Sequence, residues 1–235
     1  VSFVHSKKLR LVVDGLPFSG YAHQVGMSCS KGLGEATVFT DEGNRFTSGL
    51  LNGTLSIGCR FDPTPHGSLG AALTADDPQI VTIAPAGFGT GGFAFMAHAF
   101  GQTYAVDASI SDTVNSTFES QPDDGVDWGR SHHDLTVETV SGESAGADDG
   151  AATAGGIVAH LHVTAVAGTT STLDVTVQES ADGNTWADIG AFAQATAVGA
   201  QRVFVAGAVE QHIRITWELG GTGPSFTFTA AVARR

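Results

Sequence analysis

Apolar and polar residues alternate with a period of two over most of the chain, the signature of strands that bury one face and wet the other. From Gln24 to Ser30 the apolar positions are Val25, Met27 and Cys29, and the polar ones are Gln24, Ser28 and Ser30. From Gly53 to Phe61 they are Leu55, Ile57, Cys59 and Phe61 against Thr54, Ser56 and Arg60. The segment between, Thr40-Asp41-Glu42-Gly43-Asn44-Arg45, is rich in turn formers, so the pattern predicts a long hairpin with its tip near Gly43-Asn44. That register sets Cys29 roughly opposite Cys59 on the apolar face. Further strands are expected over 79–84 and 92–100. A longer run over 102–118 separates Tyr104, Val106, Ala108 and Ile110 from a polar, small-sided face of Thr103, Asp107, Ser109, Ser111 and Thr113. An antiparallel sheet with one packed and one wet face has this pattern. One helix is predicted over 66–76, with Leu69, Ala72 and Leu73 on one face and Pro78 past its end.

The idiom changes after Trp128-Gly129-Arg130 to one rich in Val, Thr and Ala, with a loose Gly/Ala/Asp loop over 141–156. This places a domain break near Ser131, with one domain over 1–131 and a second over 132–235. Alternation then recurs over 157–166, 173–179, 202–206, 212–219 and 225–232. Ile213, Ile215 and Trp217 oppose His212, Arg214, Thr216 and Glu218, while Phe226 and Phe228 face in and Thr227 and Thr229 face out. Asp182-Gly183-Asn184 and Gly220-Gly221 supply hairpin turns. Short strands with regular turns over about 100 residues predict a small β-sandwich. The fold class is therefore all-β, with one short flanking helix.

Composition narrows the function classes. Of 235 residues 42% are apolar, which supports a sizeable core and excludes wholesale disorder. Acids outnumber bases 24 to 11, a formal charge of −13 that argues against holding nucleic acid through its phosphates or docking on an anionic membrane. The excess is uneven: no Lys or Arg lies between Arg60 and Arg130, nor between Arg130 and Arg202, whereas Lys7, Lys8 and Arg10 cluster near the start. Two cysteines, Cys29 and Cys59, are too few for a disulfide framework. A cross-strand disulfide and two buried thiols both fit their pairing, and a reducing compartment favours thiols. Val1 to Val13 carries only a short apolar run and does not read as a signal peptide. The charge-free stretch 78–106 is too interrupted for a membrane helix, so a soluble chain, cytoplasmic at synthesis, is expected.

Motifs of catalysis are weak. Gly87-Phe88-Gly89-Thr90-Gly91-Gly92 has the spacing of a pyrophosphate-binding loop, but a strand-like segment rather than a helix follows, so no row of free N–H groups awaits a phosphate. Gly142-Glu143-Ser144-Ala145-Gly146 matches a nucleophile elbow, with Asp174 and His212 downstream, yet no helix or parallel sheet context supports it. His160 and His162, two apart on one strand face, and the adjacent His132-His133 lack further metal ligands at a diagnostic spacing and read as surface histidines. The acidic pairs Asp76-Asp77, Asp123-Asp124 and Asp148-Asp149 fall at turns or helix ends, and none earns an acid–base role. No enzyme, cofactor or metal is expected.

The first half resembles the major tail tube protein of long-tailed bacteriophages with flexible tails. The resemblance rests on Phe3-Val4-His5-Ser6-Lys7-Lys8, Val13-Asp14-Gly15, Ser19-Gly20-Tyr21, Val38-Phe39-Thr40-Asp41 and Gly49-Leu50-Leu51-Asn52-Gly53-Thr54-Leu55-Ser56. The second half, with 179–186, Arg214-Ile215-Thr216-Trp217 and 220–228, is similar to the β-sandwich extension of some actinobacterial-phage tail proteins. The resemblance implies a virion protein whose homohexameric rings stack into a tube through which DNA passes without specific binding. It implies further tail proteins as partners: tape measure, tail terminator and baseplate or distal tail. It also implies a DNA-repelling lumen lined by Gln24, Ser28, Ser30, Thr54, Ser56, Thr103, Asp107, Ser109, Ser111, Asp112 and Thr113. The arm reaching a neighbouring ring would be Thr40, Asp41, Glu42, Gly43, Asn44, Arg45, Phe46 and Thr47. Two other classes fit the composition: a capsid decoration or minor tail protein, and a carbohydrate-binding module using Trp186 or Trp217 as a stacking platform.

Overall fold

A computed structural model describes residues 4–235, and strand accounts for 63% of the chain against 7% helical. The fold is all-β. In chain order the strands are β1 (Arg10–Val13), β2 (Leu16–Pro17), β3 (Ala22–Glu35), β4 (Phe46–Arg60), β5 (Gln79–Ala84), β6 (Phe93–Asp107) and β7 (Asn115–Glu138). They continue as β8 (Gly142–Glu143), β9 (Ala147–Asp148), β10 (Ile157–Ser180), β11 (Ala187–Ala191), β12 (Gly199–Val205) and β13 (His212–Arg234). One α-helix, α1 (Pro63–Ala72), follows β4 among the described residues. Phe3 of the first motif lies outside them.

Contacts group the chain into two compact units, each discontinuous in sequence. One holds the described part of Val1–Gly20 with Ile80–Met96 and Asp127–Arg235, and the other holds Tyr21–Gln79 with Ala97–Val126. Composition shifts near Ser131 in β7, close to where the chain passes from the second unit into the first. Composition carries no sign that 80–96 group with the C-terminal half.

The smaller unit is built on the predicted hairpin. β3 pairs with β4 from Ala22↔Cys59 to Glu35↔Phe46, and β4 pairs with β7 from Leu55↔Ser120 to Arg60↔Asn115. The buried face carries Leu55, Ile57, Cys59 and Phe118, as alternation predicts. The register differs from expectation: Cys29 lies opposite Gly53, and Cys59 opposite Ala22. The ten-residue connection over 36–45 and the irregularities at Ala22/Gln24 and Lys31/Leu33 displace the count that a tight turn at Gly43-Asn44 would impose. Both cysteines are free, and burial pushes the Cys59 thiol up to about 11. Phe61 falls outside β4, exposed beside the His66 ring at 5.1 Å.

The helix begins three residues earlier than periodicity suggests. Asp62 caps it by accepting the Thr64 N–H at 2.9 Å, and Pro63 stands where no intrahelical N–H is required. Pro65, Leu69 and Ala72 point inward at helical spacing, while Leu73 is the C-cap and is exposed.

In the larger unit β10 and β13 pair from Ile157↔Arg234 to Ser180↔His212. β13 continues the sheet to β7 and carries β8 and β9 alongside, β11 and β12 join β10, and β1 joins β2 and β5. The main core includes Leu161, Leu173, Val175, Ile213, Ile215, Trp217, Phe226 and Phe228. Asp182-Gly183-Asn184 forms the expected turn, where the Asp182 carboxylate accepts the N–H groups of Thr185 and Asn184. These bonds hold its pKa down to about 2.

Gly220-Gly221 is not a hairpin turn. The predicted strands before and after it are one strand, β13, and those over 157–166 and 173–179 are likewise one, β10. The sequence signal there marks facing bulges: the register slips between Ala167 and Thr172, with Gly168 at φ 103° and Gly221 at φ 99°. A Cβ on Gly221 would stand 2.5 Å from the Thr170 carbonyl oxygen.

Candidate functional site

Beyond Cys29 and Gly53 the hairpin is exposed on both faces, so the β3–β4 ribbon and its tip form an arm. Six apolar side chains on it have large exposures: Leu33 66%, Val38 56%, Phe39 110%, Phe46 56%, Leu50 88% and Leu51 54%. Of the predicted arm residues, Thr40, Asp41, Glu42, Gly43, Asn44 and Arg45 lie in the tip, while Phe46 and Thr47 open β4 opposite Glu35 and Gly34. The tip is tied through Asp41. Its carboxylate accepts the Val38 N–H at 2.9 Å and meets the Arg45 guanidinium at 3.3 Å, while the Ala36 N–H donates to the Arg45 carbonyl at 2.8 Å.

At the root of the arm the same strands present a hydroxyl-rich face. Directly opposed residues share a face, so the register places Ser30 beside Asn52, Ser28 beside Thr54, Ser56 between Gly26 and Glu119, and Thr117 beside Gly58, which pairs with Gln24. The Ser28 and Thr54 hydroxyls are bonded at 2.8 Å. Thr117 and Glu119 thus join the predicted Gln24, Ser28, Ser30, Thr54 and Ser56. Alternation along β7 carried the signal for both.

The other predicted lumen residues are placed differently. Thr103 and Asp107 are exposed on β6, which ends at Asp107. Ser109, Ser111, Asp112 and Thr113 lie in the turn before β7 rather than on a strand face, and Val106 and Ile110, expected to pack, are 48% and 109% exposed. The Asp112 N–H donates to the Ser109 carbonyl at 3.1 Å, and the Asp112 carboxylate accepts the Thr113 N–H at 2.7 Å, which lowers its pKa. This local bonding ends the strand. The base-free stretch of sequence also acquires a base in space. The Arg60 guanidinium donates to Asn115 Oδ1 at 2.6 Å and to Thr113 Oγ1 at 2.8 Å, with Asp112 3.9 Å away.

The histidines are buried, contrary to the surface reading. The Thr82 hydroxyl bridges His162 Nε2 at 2.8 Å and His160 Nδ1 at 3.1 Å, on the same sheet face as Val158, Ala231 and Ala233. Burial pushes His162 down to about 3. His132 is pushed down to about 4 by burial, against the opposing pull of Asp149; neither ring nitrogen has a hydrogen-bond partner at good geometry, and the Ile213 backbone assists only weakly. His133 stacks on Phe228 at 4.1 Å. Thr229, predicted to face out, is buried and donates to the His133 carbonyl at 2.6 Å. A second layer on this face is the reason: alternation reports a wet side only where nothing covers it. Among the described residues no group of three or more His, Cys, Asp or Glu is placed to hold a metal.

Ser144 is not a nucleophile elbow. It follows the two-residue β8, donates its N–H to the Ile215 carbonyl at 2.9 Å and accepts the Ile215 N–H on its hydroxyl at 3.0 Å. Trp217 is core, donating to the Val140 carbonyl at 3.0 Å, and Trp186 lies under the Arg214 guanidinium at 4.4 Å. The exposed tryptophan is Trp128, at 64%, packed edge-on to Phe95. No described helix is long and apolar enough to cross a membrane.

No family model and no curated protein matches this sequence. Among solved structures, the chain is similar to tail and injection-machine proteins. A protein of the native gene transfer agent virion is 10% identical with a TM-score of 0.44, covering 54% of this chain and 98% of that one. The tail tube protein of phage SPP1 is 8% identical with a TM-score of 0.45, covering 53% and 77%. The Dit protein of SPP1, described as a hub of the adsorption apparatus, is 10% identical with a TM-score of 0.43, covering 97% and 99%.

Proposed function

We propose that this chain is a non-catalytic structural subunit of a phage tail that polymerises with its own copies into stacked hexameric rings, a conduit for DNA in the virion. The observation that carries the reading is the arm. A two-stranded ribbon is marginal in water by itself, and one that leaves Phe39 and Leu50 uncovered gains roughly 25 cal/mol for each Å² of apolar surface a neighbour removes from solvent. The sequence idioms shared with tail tube proteins include Val38-Phe39-Thr40-Asp41 and Gly49-Leu50-Leu51, and these lie on the arm.

In this reading the face of Gln24, Ser28, Thr54, Ser56, Thr117 and Glu119 lines the channel. Short hydroxyls give phosphates no cation to hold, Glu119 and Asp107 repel them, and Arg60, the base on this face, is engaged by Asn115, Thr113 and Asp112. Tape-measure, terminator and baseplate proteins would meet the two ends of the tube. Negative-stain microscopy tests the assignment: the wild-type chain forms rings or tubes with a DNA-wide bore, and Phe39→Ser/Phe46→Ser/Leu50→Ser folds but stays monomeric. Assembly of the triple variant at the wild-type concentration, or a wild type that stays monomeric under all conditions, would refute it.

A further inference from the structure

Seven of the chain's eleven Lys and Arg are spoken for. Every arginine except Arg10 meets a carboxylate at 2.7–3.9 Å: Arg45 with Asp41, Arg60 with Asp112, Arg130 and Arg234 with Asp149, Arg202 and Arg235 with Asp127, and Arg214 with Glu143. Lys7, Lys8 and Arg10 have no such partner among the described residues, and the fold brings all three to the rim of one cavity of about 520 Å³, floored by Gly87, Phe88 and Gly89. A single carboxylate, Asp134, shares the lining and accepts the neighbouring Leu135 N–H at 2.8 Å.

The backbone that carries the lysines and the Arg10 guanidinium are fixed. Lys7 and Lys8 sit on a short 3-10 turn, Ser6–Lys8, in which the Lys7 N–H donates to His5 Nδ1 at 3.2 Å, and Arg10 folds back to donate to the Leu9 and Lys7 carbonyls at 3.0 and 3.3 Å. The glycine loop is anchored by the buried Phe88 ring, by the Ser131 hydroxyl on the Phe88 carbonyl, and by the Gly92 N–H on the Gly89 carbonyl at 2.8 Å. Gly87 has φ 97°, and a Cβ there would lie 3.8 Å from the Lys8 carbonyl oxygen. The glycine run and the N-terminal basic cluster, unrelated in sequence, build one electropositive socket.

We propose that this socket receives an acidic segment of a second copy of the chain, the exposed Asp76-Asp77 turn. Copies that each carry a charge of −13 repel, and setting a cation cluster of one against acids of the next offsets part of that repulsion. The socket gathers three of the four Lys and Arg that lack an ion-pair partner among the described residues, Lys31 on the arm being the fourth, and Asp76 and Asp77 are adjacent, exposed and likewise without one. The inference rests on the self-assembly reading and deepens it by naming an electrostatic contact distinct from the arm.

A charge swap on the full chain tests it, read by sedimentation velocity and negative stain. Lys7→Glu/Lys8→Glu and Asp76→Lys/Asp77→Lys each raise the concentration needed for assembly by about tenfold, and the combined swap returns it towards wild type. All four positions are exposed, so folding should survive; Lys7→Ala/Lys8→Ala is the milder variant, with a smaller shift of the same sign. Wild-type assembly by Lys7→Glu/Lys8→Glu, or no recovery in the combined swap, overturns the socket while leaving self-assembly standing. A wild type that never assembles removes the parent reading instead. Binding of a labelled single-stranded oligonucleotide that is lost in Lys7→Glu/Lys8→Glu with assembly unchanged would overturn the proposal in favour of a phosphate site.

Discussion

Acidification from pH 8 to pH 5 should strip the larger unit of a large part of its stability, and the reason is two histidines with no room for a charge. His132 and His162 are fully buried, with burial lowering them to about 4 and about 3. In the folded chain both stay neutral at pH 5, whereas unfolded imidazoles near 6.5 take up a proton, so the unfolded state binds more protons and stability falls as pH falls. Between a reference near 6.5 and these folded values, each histidine costs about 2 kcal/mol at pH 5, or about 4 kcal/mol together. That compares with a usual stability of about 5–15 kcal/mol for a whole domain. Asp182 does not confuse this window: it is held near 2, so its contribution is lost only below about pH 4, while burial also lowers His133, which adds to the fall in the same direction. Urea unfolding followed by tryptophan fluorescence should show the midpoint falling by ~2 M for a slope of ~2 kcal/mol per M. Because neither His132 nitrogen has a good partner, His132→Phe removes a desolvation cost without orphaning a donor, and it should flatten the pH slope by about half. A midpoint that moves by less than a quarter of the expected amount, or an unchanged slope in His132→Phe, would refute the assignment of the acid sensitivity to these rings.

Two further outcomes follow from the geometry. Gly221→Ala should cost at least about 1–2 kcal/mol, since its φ of 99° and the Thr170 carbonyl at 2.5 Å leave no place for a Cβ, whereas Gly43→Ala on the open arm tip should cost almost nothing; thermal melts compare the two. Asp107→Lys/Glu119→Lys should leave the melting temperature unchanged yet slow DNA release from particles carrying the variant, and unchanged release would remove the channel assignment without touching self-assembly.

Much of the strand architecture was legible because side-chain alternation is a local consequence of the pleat. Val25, Met27 and Cys29 against Gln24, Ser28 and Ser30, and Ile213, Ile215 and Trp217 against Arg214 and Glu218, lie on the expected faces. The shared polar face of Gln24, Ser28, Ser30, Thr54 and Ser56 on β3 and β4 was readable for the same reason. The end of β6 before 109–113 was not, since Asp112 binds the neighbouring backbone and stops the strand where hydropathy alone sees continued alternation. The helix start was legible only through the Asp62-Pro63 cap, which periodicity ignores.

The sequence by itself determined the all-β class, the long β3–β4 hairpin and the acidic excess, all of which depend on composition or on neighbours a few residues apart. Tertiary structure decided what depends on partners far along the chain. Register was set by bulges and a ten-residue loop rather than by the turn signal, so Cys29 and Cys59 do not face each other. His160 and His162 became core because Thr82, distant in sequence, closes over them. Lys7, Lys8 and Arg10 became a socket because β1 pairs with β5 and so brings the chain start alongside the glycine loop after β5. A period-two pattern says which side chains share a face; only long-range pairing and layering say what, if anything, covers that face.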